Sequence, residues 1–261
     1  MNLNLKNKNA LICGATGGIG KASALALAEE GVNVTLVARN EDKLKKVLEE
    51  LDHNQGQNHT YLVADFSEPA SLKEKVEEAT KTKAYHILLN NTGGPPGGKI
   101  SEAKTEEFEA AFTQHLICNH ILVQALLPGM KERGYGRVIN VISTSVKQPL
   151  DGLGVSNTIR GAVANWSKTM ANELGEFGIT VNNILPGATA TGRLTDIIKN
   201  KANKTGKTEE EVTQAMQSAV PAKRFGQPEE LANAVTFLAS EAASYINGIN
   251  VPVDGGRTKS L

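Results

Sequence analysis

The stretch Asn9-Ala10-Leu11-Ile12-Cys13-Gly14-Ala15-Thr16-Gly17-Gly18-Ile19-Gly20 decides the fold. A short apolar run ends at a glycine cluster. A helical pattern then runs from Ile19 to Glu30, with Ala22, Leu25, Ala26 and Ala28 supplying helix propensity. A strand that feeds directly into a helix N-terminus leaves free N–H groups and a partial positive charge at the turn. Glycines allow the tight turn and let a phosphate approach the backbone. A glycine cluster alone reads as an ordinary strand-to-helix turn. Flanked in this way, it predicts a cradle for the pyrophosphate of a dinucleotide.

Outward from that loop the chain alternates. Residues 32–38 are a β-branched run that reads as a buried strand, and 41–52 are charged with leucines at helical spacing. Residues 60–64 are strand-like, 70–82 helical, and 85–90 a further buried strand. A long helical stretch over 105–132 precedes a strand at 137–142. In 156–177, Ile159, Val163, Trp166, Met170 and Leu174 mark one helix face, and Gly178 ends it as a C-cap. A strand over 179–185, a helix over 228–240 and a strand over 248–253 complete the series. Such alternation predicts a Rossmann-like, doubly wound parallel sheet with helices on both faces. The polar residues 190–223 interrupt the pattern and read as a substrate lid within one domain spanning 1–261.

Composition narrows the function classes. Lys+Arg and Asp+Glu are both 28, so the net charge is zero. A nucleic-acid or anionic-membrane partner is not expected on that balance. Only Cys13 and Cys118 are present, which argues against a disulfide scaffold and for a reducing, cytoplasmic setting. No apolar run is long enough to span a bilayer, and the polar start does not read as a signal peptide. No metal site is expected.

The spacing of Gly14, Gly18 and Gly20 resembles the short-chain dehydrogenase/reductase family. Asn90-Asn91-Thr92-Gly93 is similar to that family's Asn-Asn-Ala-Gly, and Pro186-Gly187 with Thr191 to its Pro-Gly-x-x-x-Thr. Arg224 to Glu230, Phe237 to Ser240 and Val253-Asp254-Gly255-Gly256 match its C-terminal signature. The resemblance spans essentially the whole chain and is greatest to 3-oxoacyl-[acyl-carrier-protein] reductase-like members. It implies an oxidoreductase acting on a carbonyl or alcohol, possible action on a 3-oxoacyl thioester, and a homo-oligomer, tetramer or dimer, built through 105–132, 156–177 and the C-terminal segment.

The cofactor site follows from both readings. Gly14, Thr16, Gly17, Gly18, Ile19 and Gly20 form the loop. The second strand ends at Ala38-Arg39, where an acidic residue would repel a 2′-phosphate and Arg39 instead offers it donors. NADP(H) is therefore favoured over NAD(H). The resemblance places Asp65 and Phe66 at the adenine, Asn91 and Gly93 along the adenosine ribose side, and Pro186, Gly187, Thr189 and Thr191 near the nicotinamide.

The catalytic positions depart from the family. Ser143 fits the family serine. The tyrosine and lysine belong about thirteen residues later and four beyond that, on one helix face, and those positions are Ser156 and Arg160. The position of the supporting asparagine is His115. A serine hydroxyl is a far weaker acid than a phenol. Arg160 can bind ribose or an acidic substrate group but cannot share a proton. His115 can relay one. Lys147 and Asp151 lie on the same side, in the loop after Ser143, and His120 reads as structural. Four tyrosines are present, and none is expected on the cofactor face. Two readings follow: an NADP(H)-dependent reductase with a remodelled proton donor, or an inactive NADP-binding sensor or subunit.

Overall fold

The computed structural model describes residues 2–260. The strands are β1 (Asn9–Cys13), β2 (Asn33–Ala38), β3 (Thr60–Val63), β4 (Ile87–Asn90), β5 (Gly136–Val141), β6 (Ile179–Pro186) and β7 (Asn250–Val253). They form one parallel sheet in the order β3-β2-β1-β4-β5-β6-β7. The helices are α1 (Gly18–Glu29), α2 (Glu41–Glu50), α3 (Pro69–Thr82), α4 (Thr105–Phe112), α5 (Cys118–Arg133), α6 (Gly154–Leu174), α7 (Gly192–Thr205), α8 (Glu209–Ser218) and α9 (Pro228–Ala239). Strand order reverses between β1 and β4. The connections there leave to opposite faces, and a crevice opens at the carboxyl ends of the strands.

The period of two along each strand splits the core into two layers. Ala10 and Ile12 of β1 and Ile87 and Leu89 of β4 pack with Leu27 of α1 and Val235 and Leu238 of α9. Leu11, Leu88 and Val138 point the other way, onto Leu72 and Val76 of α3 and Leu122, Leu126 and Met130 of α5. Both faces are covered, which is why these strands read as continuous apolar runs.

One polar feature crosses the sheet. Asn90, Asn140, Asn183 and Asn250 stand in register on β4 to β7. Each side-chain amide donates to the next carbonyl, at 2.8, 2.9 and 2.8 Å. Paired buried amides of this kind fix strand register, because a slip would leave each one unsatisfied.

The helical stretch over 105–132 is interrupted. Between α4 and α5 the backbone widens into a π-helical segment, Thr113–Ile117, which carries His115. Such bulges re-aim side chains and recur at functional sites. The polar stretch after β6 folds as α7 and α8, with a small apolar cluster of Leu194, Ile198, Ala202 and Val212. Thr208 and Glu211 cap α8 reciprocally. Among the described residues, no helix is long and apolar enough to cross a membrane.

Candidate active site

The glycine loop is shaped by what surrounds it. Gly14 has φ +61, and a Cβ there would stand 2.5 Å from the Asn91 carbonyl oxygen. A Cβ on Gly20 would collide with the Gly14 carbonyl. Asn91 then fastens the turn from the other side of the crevice, its Nδ2 donating to the Cys13 carbonyl at 3.2 Å. Gly17 is exposed, with no neighbour where its Cβ would be. The first turn of α1 carries no acidic residue and no side-chain cap. Open N–H groups, bare backbone and a positive helix end fit a pyrophosphate. Thr16 and Ile19 are half-buried beside it, and Ile19 packs on the core.

The other loops converge on the same crevice. The Thr191 methyl would sit 3.0 Å from a Cβ on Gly18, so the segment after β6 lies across the glycine loop. Thr191 Oγ1 donates to the Thr189 carbonyl, and Thr189 Oγ1 to the Gly187 carbonyl. Gly187, next to Pro186, lies so near Asp254 that a Cβ would meet its Cα at 2.6 Å. Arg39 is exposed at the end of β2. Asp65, after β3, accepts from the Ser67 N–H and hydroxyl at 2.9 and 2.8 Å, which holds its carboxyl below the usual range, and Arg39 adds to this. Phe66 packs on the second core layer, and Gly93 is exposed after β4.

Beyond β4 the character of the crevice changes. Ser143 Oγ accepts from the Ser145 N–H at 3.0 Å, so its own O–H remains free to donate into the crevice. Ser156 and Arg160 are both buried, one turn apart on α6. Arg160 Nη1 donates to the Val141 carbonyl at the end of β5, at 3.1 Å. Burial, then the nearby Arg193, lowers its pKa to about 10. His115 is almost fully buried, its Nδ1 lies 2.6 Å from Thr92 Oγ1, and its Nε2 has no partner. Burial, then Arg160 and Arg193, lowers its pKa to about 3. His115 is thus a neutral imidazole at ordinary pH, so the relay expected of it is confined to the neutral ring.

Two members of this group were not singled out from sequence. Arg193, in the first turn of α7, donates to the Gly94 and Pro95 carbonyls at 3.0 and 3.1 Å. Thr92 is the partner of His115. The signal for Arg193 was its place two residues after Thr191, as the only cation between Pro186 and Ile198.

The tyrosines are engaged elsewhere. Tyr135 donates to the Ala239 carbonyl at 2.6 Å, and its burial pushes its pKa up to about 12. Tyr85 donates to Thr35 Oγ1 and Tyr61 to a Glu41 carboxylate oxygen. Tyr245 is fully exposed just before β7. His120 Nδ1 accepts from the Trp166 indole at 3.4 Å, joining α5 to α6.

Comparison with known proteins agrees with this arrangement. The family profile described as enoyl-(acyl carrier protein) reductase matches residues 14–258. The NADPH-dependent reductase BacG of Bacillus subtilis is 30% identical over 98% of this chain and 100% of its own length. The 3-oxoacyl-[acyl-carrier-protein] reductase FabG of Staphylococcus epidermidis is 32% identical over 96% of this chain and 98% of its own. The crystal structure of L-sorbose reductase from Gluconobacter frateurii, complexed with NADPH and L-sorbose, superposes with a TM-score of 0.93 at 33% identity, covering 100% of both chains. The coenzyme named for BacG and for the sorbose reductase is the one that Arg39 led us to expect. Glycine loop, strand order and comparisons agree: the chain belongs to the short-chain dehydrogenase/reductase family.

Proposed function

We propose that the protein is an NADP(H)-dependent reductase of a carbonyl substrate, or a dehydrogenase of the corresponding alcohol. The observation that carries this reading is the juxtaposition across one crevice of the glycine loop, closed by Asn91 and Thr191, with the free hydroxyl of Ser143. The residues present fit the dinucleotide. Gly14 to Gly20 receive the pyrophosphate, and Arg39 receives the 2′-phosphate. Asp65 and Phe66 flank the adenine, Asn91 and Gly93 line the ribose side, and the Pro186 to Thr191 segment borders the nicotinamide. When bound, the reduced dinucleotide supplies a hydride.

The chain's own residues have four tasks. Ser143 donates a hydrogen bond to the substrate oxygen and orients the carbonyl. Arg160, buried beside the end of β5, offers its remaining donors to the nicotinamide ribose or to an acidic group of the substrate. Ser156 stands where a tyrosine would otherwise donate the proton and leaves room for a water molecule to deliver it. His115, held neutral, passes hydrogen bonds between that water and Thr92. The whole chain acts as one domain. α7 and α8 form its substrate lid, anchored to the crevice by Thr191 and Arg193. Phe112 at the end of α4 and Ile117 in the π-helical segment, large apolar residues left exposed, suit a contact between copies in a homodimer or tetramer.

A screen following NADPH absorbance, with 3-oxoacyl thioesters, ketoses, small ketones and quinones, tests the reading. Turnover that is lost in Ser143→Ala is expected. Tight NADPH binding with no turnover on any substrate would leave the non-catalytic sensor or subunit as the better account.

A further inference from the structure

Resting on that reading, a second feature of the crevice narrows the substrate class. Arg160 is 7% exposed, and its one hydrogen bond is from Nη1 to the Val141 carbonyl. Nε and Nη2 make none and are not fully sealed, so this edge of the guanidinium keeps its donors open to a small ligand group. Among the described residues no carboxylate pairs with Arg160, and none pairs with Arg193, whose charge is near enough to be felt by both Arg160 and His115. Burying an ion without a counter-ion is costly, and native proteins pair such charges. A buried cation left open on its donor edge is half of an ion pair whose other half arrives with a ligand.

The cofactor's phosphates do not account for it, and the ribose hydroxyls that can take one of its donors carry no charge to pair with it. The pyrophosphate cradle is at the end of β1 and Arg39 is at the end of β2. Arg160 is bonded to the end of β5, two strands from β1, about 10 Å at the usual strand spacing. Its partner Val141 is two residues before Ser143, which sets the guanidinium toward the substrate's end of the crevice. Arg193 has already committed Nη1 and Nη2 to the loop carbonyls of Gly94 and Pro95, so it contributes its charge and not a second free fork. A single planar fork backed by one further positive charge matches a carboxylate, whose two oxygens accept parallel hydrogen bonds.

We propose that Arg160 binds a carboxylate group of the substrate, supported by the charge of Arg193, and that the substrates are oxo acids and the corresponding hydroxy acids. Hydride from NADPH and a proton from water convert the oxo group to a hydroxyl, while the carboxylate is held and unchanged.

The test uses matched compounds: 3-oxobutanoate against its methyl ester and its coenzyme A thioester, and 2-oxopentanoate against its methyl ester. Dihydroxyacetone phosphate is the phosphate control. Acids are expected to exceed their esters in kcat/KM by about 100-fold, the usual order for a charged, paired hydrogen bond. In Arg160→Met that ratio falls toward one. Arg160→Lys, which keeps charge and loses the fork, gives an intermediate ratio, and Arg193→Gln lowers it less. Equal turnover of acids and esters, preference for the thioester, or preference for the phosphate would overturn the inference and leave the reductase standing. If nothing is turned over, the reductase reading falls and binding decides the inference. With NADP+ present, the oxo acids and not their esters should raise the melting temperature of the wild type, and the rise should vanish in Arg160→Met. Its absence from the wild type would sink the carboxylate site as well.

Discussion

The two halves of the crevice are built on the same parallel strand ends and solve opposite problems. Around the glycine loop the groups that shape the turn are matched within the protein. Asn91 serves the Cys13 carbonyl, Asp65 serves Ser67, and Thr191 closes over Gly18. What this half offers a ligand is backbone, made accessible by glycine. Around the end of β5 the protein leaves three groups only partly matched. Arg160 keeps a donor edge open, Ser143 a free hydroxyl, and His115 an unpartnered Nε2. A cofactor shared by many enzymes can be received by a shape. A particular substrate is received by specific charges and hydrogen bonds, whose cost is carried until it binds.

The contrast is broken most severely in the first half. Gly14→Val places a β-branched side chain at φ +61 with its Cβ against the Asn91 backbone. The cost is several kcal/mol, beyond about 3, because the nearest atom, the Asn91 carbonyl oxygen, is main chain and cannot turn aside. We expect a large fall in melting temperature and loss of NADPH binding, read by denaturation and fluorescence titration. Ser143→Ala, in the second half, should leave both near wild type. If Gly14→Val bound NADPH normally, the cradle would not be a matter of backbone shape.

Next is Asn140, the centre of the amide ladder, which bonds both Asn90 and Asn183. Asn140→Leu strands a buried carbonyl or amide on each side. A loss of about 2–4 kcal/mol is expected in urea unfolding, with an unchanged dependence on urea concentration. A loss below about 1 kcal/mol would mean that water substitutes freely inside the sheet. The Arg39→Ala change is smaller and confined to the first half. The preference for NADPH over NADH, compared by dissociation constants, should fall about thirtyfold, as for one charge-assisted phosphate contact. An unchanged preference would remove Arg39 from the 2′-phosphate site.

The two halves also differ in how far sequence reveals them. The cofactor half is legible because backbone geometry demands particular residues at particular spacings. Gly14 and Gly20 cannot be otherwise, and a strand before and a helix after supply the context. Fold class follows for the same reason, since period-two strands covered on both faces must be apolar throughout. The register-fixing asparagines were not legible, because the ladder exists only across four strands and nothing within one strand marks its member. The π-helical turn at His115 was hidden likewise, within a run that reads as unbroken helix. Arg160 could be seen as a departure from the family's pattern. That it is buried with an open donor edge depends on Val141, Arg193 and the loop after β4, which chain order does not bring together.

The smallest expected effect isolates that unmatched character in one residue. The His115 pKa is lowered to about 3 and that of His86 to about 4, both chiefly by burial. An unfolded histidine takes up a proton near pH 6.5. Between those values the unfolded chain holds more protons than the folded one, so stability is fully present above about pH 6.5 and declines as pH falls toward 3. At pH 6 one such group accounts for about 1 kcal/mol. His115→Gln keeps a polar group against Thr92 and cannot titrate. Its melting temperature, whatever its value at pH 8, should fall less steeply between pH 7 and 5 than that of the wild type. His86, which lies at the amino ends of the central strands and accepts from the Asn9 N–H, preserves the remainder of the slope. Identical slopes would show that water reaches Nε2 and that His115 is as well matched as the residues of the first half.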